Sequence, residues 1–135
     1  MTHYPDLSPY TYGSTSRTRL NVGWLDREHP FAVGLAPAGL ISALVRHARE
    51  PINVQRGMHF CNLCPSFHVA RKNTTREDLF IGSGEILVAG CEGKMYVSPL
   101  MIIHYVEAHG YLPPEEFCIA VCDGRSGLVR DAGKA

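Results

Sequence analysis

Two cysteines separated by two residues, Cys61 and Cys64, and two histidines separated by four, His104 and His109, restrict the folding of this chain more than any other feature. Two thiolates and two imidazoles complete a tetrahedral shell, the pattern of a structural Zn²⁺; a catalytic zinc keeps one position open for water. The C-x2-C spacing turns both sulfurs toward one ion at about 2.3 Å, and H-x4-H lies within the H-x3-5-H range of zinc sites. A shared ion would bring the middle of the chain against an element some forty residues further on. On an ideal helix, residues five apart point roughly 140° away from each other, so the last turn must change its winding for the two histidines to converge. Gly110, directly after His109, is the residue expected where a helix ends in a left-handed turn.

The competing reading makes the cysteines reduced core thiols and the histidines hydrogen-bonded core groups. The surroundings of the histidines weigh against it. Leu100, Met101, Ile102, Ile103, Tyr105, Val106 and Ala108 make this segment apolar almost all round, interrupted by His104, Glu107 and His109. Two imidazoles in such an element are costly unless they are paired or metal-bound. His59 is a spare donor that could replace one of the four or support the shell, and Cys91, at the hairpin turn, is a further thiol that nothing forces into it. A redox CxxC is the weaker rival, because Pro65 follows the second cysteine and no βαβ unit surrounds it.

With 135 residues and no net charge, the chain is long enough for one modest core and lacks the overall charge of a nucleic-acid or membrane-surface binder. No apolar run is long enough to span a bilayer, and the first residues lack the basic start and apolar stretch of a signal peptide. The five cysteines are therefore read as reduced thiols and metal ligands in the cytoplasm, not as a disulfide framework.

The expected organisation is an extended arm over residues 1–20, one α+β domain over 21–125 and a flexible tail over 126–135. The arm carries Tyr4, Tyr10 and Tyr12, whose rings suit anchoring to the body. Residues 20–25 read as a short strand with Trp24 as a core anchor. Residues 37–50 read as a helix that buries Leu40, Ile41, Leu44 and Val45, starts at Pro37, stops at Pro51 and leaves His47 at the surface or its boundary. Met58, His59 and Phe60 read as a strand entering the cysteine knuckle, and residues 71–77 as a polar loop. Residues 85–89 and 94–97 predict a hairpin, followed by an N-cap at Ser98 with Pro99 at the first helical position. Pro113, Pro114, Glu115 and Glu116 predict a last helix through Cys122, with Cys118 and Cys122 as core thiols.

Between Arg46 and Arg76, the six basic residues Arg46, Arg49, Arg56, Arg71, Lys72 and Arg76 face one acid, Glu50. A solvated face explains such a run most simply, and a phosphate-contacting face is the alternative. Catalytic signatures fail. Glu107 gives H-x-x-E-x-H, which is neither H-E-x-x-H nor H-x-x-E-H, and no deaminase, P-loop, dinucleotide or nucleophile-elbow pattern is present.

Gly23, Trp24, Leu25 and Asp26; His29, Pro30 and Phe31; Cys61 and Cys64; Gly84, Glu85 and Ile86; Tyr96 and Pro99; His104, Tyr105, His109 and Tyr111; and residues 113–117 form a pattern that resembles a family of small uncharacterised bacterial proteins. The resemblance covers residues 10–121 and implies a shared zinc-binding CxxC plus HxxxxH. More distantly, knuckle, hairpin and helix in that order resemble treble-clef zinc modules. The expectation from sequence is a zinc-stabilised α+β domain with Cys61, Cys64, His104 and His109 on the metal, acting without catalysis through an unidentified protein partner. Its alternatives are a zinc-dependent enzyme with an open coordination position and a nucleic-acid-binding zinc finger that uses residues 46–76.

Overall fold

The computed structural model describes residues 3–9, 19–54, 58, 60–90 and 93–123. In chain order its elements are β1 (Arg19–Asn21), α1 (Leu40–Ala48), α2 (Phe67–Lys72), β2 (Thr75–Arg76), β3 (Leu79–Phe80), β4 (Glu85–Ala89), β5 (Met95–Pro99), α3 (Ile102–His109) and α4 (Glu115–Cys122). The class is α+β, as expected.

β4 and β5 form the expected antiparallel hairpin, with Leu87 opposite Val97 and Val88 opposite Tyr96. β1 adds to β5 in parallel, giving the order β1-β5-β4, while β2 and β3 form a separate two-stranded ribbon. Every residue of β4 and β5 is buried, so both faces of the hairpin are covered. Ile86, Val88 and Tyr96 enter the main core, into which α1, α3 and α4 also pack. Leu87, Ala89, Met95 and Val97 point the other way, onto Trp24, Tyr4 and Ile52. The alternation follows from the two-residue period of a strand. Trp24 is buried as expected, and its indole Nε1 donates to the Val97 carbonyl at 3.0 Å.

The described part of the arm is docked. The Leu7 amide donates to the Asn21 carbonyl and the Asn21 amide to the Ser8 carbonyl, Tyr4 bridges Trp24, and the rings of Tyr4 and Trp24 meet edge-on at 5.5 Å. Tyr10 and Tyr12 lie outside the described residues.

Several local expectations are corrected. α1 buries Leu40, Ala43, Leu44, His47 and Ala48, while Ile41 and Val45 are only partly covered. The buried set has the i, i+3, i+4, i+7, i+8 spacing of one helical face, rotated toward α3 and α4. His47 is therefore inside, its Nε2 3.3 Å from the Val121 carbonyl. The helix starts after a left-handed Gly39 rather than at Pro37. Ser98 and Pro99 do not open α3, because they pair with Ile86 and Glu85 at the end of β5. The buried Ser98 hydroxyl has no partner among the described residues. Sheet pairing here overrides a local capping signal. Residues 71–77 are not one loop: α2 runs through Lys72, and β2 follows at Thr75. Met58 and Phe60 are not in a strand, and His59 lies outside the described residues. α4 matches its expectation, but Cys122 is exposed and only Cys118 is buried.

Candidate metal centre

The knuckle is fixed from both sides. Upstream, the Arg27 amide donates to Asn62 Oδ1 at 3.0 Å, and its guanidinium reaches the carbonyls of Asn62 and Cys64 at 2.8 and 3.4 Å. Downstream, Ser66 caps α2 by accepting from the Val69 amide, so the chain turns into a helix directly after the second cysteine.

α3 is set by close packing at its start and by a widened turn at its end. Gly23 lies so near Ile102 that a Cβ added there would stand 2.7 Å from Ile102 Cδ1. At the other end Gly110 has φ 69°, and the amides of Gly110 and Tyr111 both reach back to the Tyr105 carbonyl, five and six residues earlier. A regular α-helix spans four. α3 is α-helical through both His104 and His109, and the wide turn closes it directly after the second histidine.

The result is convergence. One nitrogen or sulfur from each of Cys61, Cys64, His104 and His109 lies within 4.8 Å of the other three, a grouping that could hold a metal ion. Cys61 Sγ is 3.3 Å from His109 Nε2, and Cys64 Sγ is 3.3 Å from His104 Nε2 and 3.9 Å from His109 Nε2. Metal bonds of about 2.3 Å to sulfur and 2.0–2.1 Å to nitrogen set at tetrahedral angles imply sulfur–nitrogen separations of about 3.6 Å. These three separations straddle that value, as expected of sulfur and nitrogen gathered round one ion. Asn73 Nδ2 donates to Cys64 Sγ at 3.4 Å and so holds that sulfur from outside the group.

Protonation states fit the same chemistry. Burial, and then the neighbouring His109, hold His104 below its ordinary value, and burial does the same to His109, so both rings are neutral near pH 7. Neutral imidazole is the form that binds metal. Burial, with a further push from Cys64, raises the Cys61 thiol to about 12. An ion bound here must displace that proton.

Glu107 does not join the cluster. Arg76 clamps it with two bonds of 2.8 and 3.0 Å, and that guanidinium holds its carboxyl below the usual carboxylate range. It is a poor proton acceptor.

The profile of a family described as Domain of unknown function (DUF7919) matches residues 2–122. The chain belongs to that family. No curated protein and no solved structure matches it. In this DUF7919 domain, the structure brings together all four residues singled out from sequence. The spare donors His59 and Cys91 lie outside the described residues, and His47, Cys118 and Cys122 are not part of the group. Arg27, Asn73 and Arg76 were not foreseen. Their partners lie 35 to 37, nine and 31 positions away, and nothing local in the sequence signals the contacts. Among the described residues of the DUF7919 domain, no helix is long and apolar enough to cross a membrane.

Proposed function

We propose that Cys61, Cys64, His104 and His109 hold one Zn²⁺ as a structural centre, and that the domain is a non-catalytic, zinc-clamped binding module. The observation that carries this reading is the pair of 3.3 Å sulfur–nitrogen approaches that join the knuckle to both ends of α3. Zinc is favoured over other divalent ions by the donor set, two sulfurs and two imidazole nitrogens in a tetrahedral arrangement. When bound, the ion would tie the knuckle to α3, and Asn73 and Arg27 would steady the sulfur-bearing turn.

Four protein donors leave no coordination position for water. The nearest carboxylate along α3, Glu107, is committed to Arg76. Both points favour a structural role over hydrolysis. His104 is the third residue of α3, within its first turn, as in treble-clef modules, whereas His109 sits at the far end of the same helix.

Cobalt substitution tests the reading. Replacing the ion with Co²⁺ should give thiolate-to-cobalt charge-transfer bands and the intense visible absorption of a tetrahedral centre, lost in Cys64→Ser. A weak five- or six-coordinate spectrum would show a bound water and reopen the catalytic reading.

A further inference from the structure

We propose that the outer face of α2, together with the cavity beside the knuckle, binds single-stranded nucleic acid. The inference goes beyond the zinc reading and requires only that the knuckle be folded.

The first observation is an aromatic platform. Phe67, the first residue of α2, is 65% exposed, and its ring packs against Phe60 at 5.2 Å. Most of that ring faces solvent, and bases of any identity stack on such a surface. Together with Arg27, Asn62, Ser66 and the two cysteines, these rings line a cavity of about 320 Å³, largely apolar.

The second is the placing of charge. Residues 51–76 contain no Asp or Glu, although the chain has as many acids as bases. Within that stretch Arg76 is neutralised by Glu107 and Glu77. Arg71 and Lys72 are exposed and have no ion-pair partner among the described residues. Arg71 follows Phe67 by four positions and Lys72 follows His68 by four, so the cations share the outward side of α2 with the ring. Arg27 lies across the cavity. Its guanidinium is bound through Nε and one terminal nitrogen to carbonyls, which fixes it in place without cancelling its charge. Its neighbours in the chain, Asp26 and Glu28, are both acids, and Asp26 stays ionised while it accepts from His29 at 2.7 Å, so the unopposed positive charge of this face is that of Arg71 and Lys72.

An aromatic ring between cations fits a flexible polyanion whose bases stack and whose phosphates fall on either side. A duplex hides its bases, and an acidic protein would have no use for the paired rings. The sequence alone favoured a protein partner because net charge is zero; the folded surface separates charges that the sum conceals.

Fluorescence anisotropy with the zinc-loaded full chain and labelled short thymidine and uridine oligomers tests the proposal. Binding should weaken between about 50 and 200 mM salt with a log–log slope near −2, as expected for about three phosphate contacts on a single strand. Phe67→Ala should weaken binding about tenfold, Phe67→Tyr should retain it, and Arg71→Glu with Lys72→Glu should abolish it. These exposed positions should leave thermal melting unchanged. Absence of binding at low salt by well-folded, zinc-loaded protein overturns the proposal without touching the metal site. So does indifference to Phe67→Ala, preference for duplex, or equal competition by polyglutamate, which would mark a generic anion surface suited to an acidic protein. Loss of zinc would instead appear in the cobalt spectrum.

Discussion

Stripping the ion should cost the domain about 4 kcal/mol. Cys64 and His104 are 40 positions apart, and a cross-link that closes a loop of that size removes about 13 cal/mol/K of entropy from the unfolded chain, or about 4 kcal/mol at 25 °C. Unfolding entropy near 2.1 cal/mol/K per residue, over 135 residues, gives a fall in Tm of roughly 14 °C. The assay is thermal melting by circular dichroism of purified protein with and without a strong zinc chelator, alongside elemental analysis. Cys64→Ser should melt at the stripped temperature and ignore chelator. Cys122→Ser, at an exposed thiol outside the cluster, should behave like the parent. The rival account leaves thiol–imidazole hydrogen bonds in place of the ion, each contributing about 1 kcal/mol whether or not chelator is present. Melting that does not move on metal removal, in protein that purifies without bound metal, would refute the clamp.

Three further outcomes follow from individual contacts. Burial keeps the His47 imidazole below its ordinary 6.5, opposed only in part by its contact with the Val121 carbonyl. The unfolded chain therefore takes up that proton first as pH falls, so the stability fully present above 6.5 is lost progressively toward the folded pKa. Urea midpoints measured from pH 7.5 downward should fall more steeply for the parent than for His47→Met, and equal slopes would remove His47 from the account. Gly23→Ala combines a positive φ of 81° with a Cβ 2.7 Å from Ile102, and should cost about 2–4 kcal/mol in chemical denaturation. A neutral result would show that α3 does not depend on that approach. The buried Tyr111 hydroxyl donates to both oxygens of Asp6 at 2.9 and 2.8 Å, so Tyr111→Phe should loosen the arm at a cost of about 1 kcal/mol. Limited proteolysis should then cut within the first residues sooner than in the parent, and unchanged cleavage would count against the docking contact.

The legible parts of this chain were those whose signal is carried by a few neighbouring residues. Pro114 before Glu115 and Glu116 marks the start of α4, and the β-branched and aromatic composition of residues 85–89 and 95–97 marks the hairpin. The donor group was legible because ligand chemistry is a property of side chains and the CxxC spacing is local. Other local signals misled. Ser98 and Pro99 have the form of a helix start, yet β4 lies alongside and extends the ladder through both. Residues 71–77 are polar enough to suggest a loop, although Ser66 had already capped a helix that runs into them. The face of α1 was displaced because a stripe of apolar side chains shows that a helix is amphipathic, while its neighbours decide which edge of the stripe is covered.

By itself, the order of residues determined which donors are present, that Gly110 can end α3 in a left-handed turn, and that a strongly apolar helix must carry two imidazoles. Only the tertiary structure decided that those imidazoles meet the knuckle, that Arg27 and Asn73 hold it, and that Phe67, Arg71 and Lys72 remain outside. The division is physical. Donor chemistry and turn geometry are set within a few bonds, but convergence depends on packing between segments as distant as Asp6 and Tyr111, 105 positions apart, and no short stretch of sequence contains both partners.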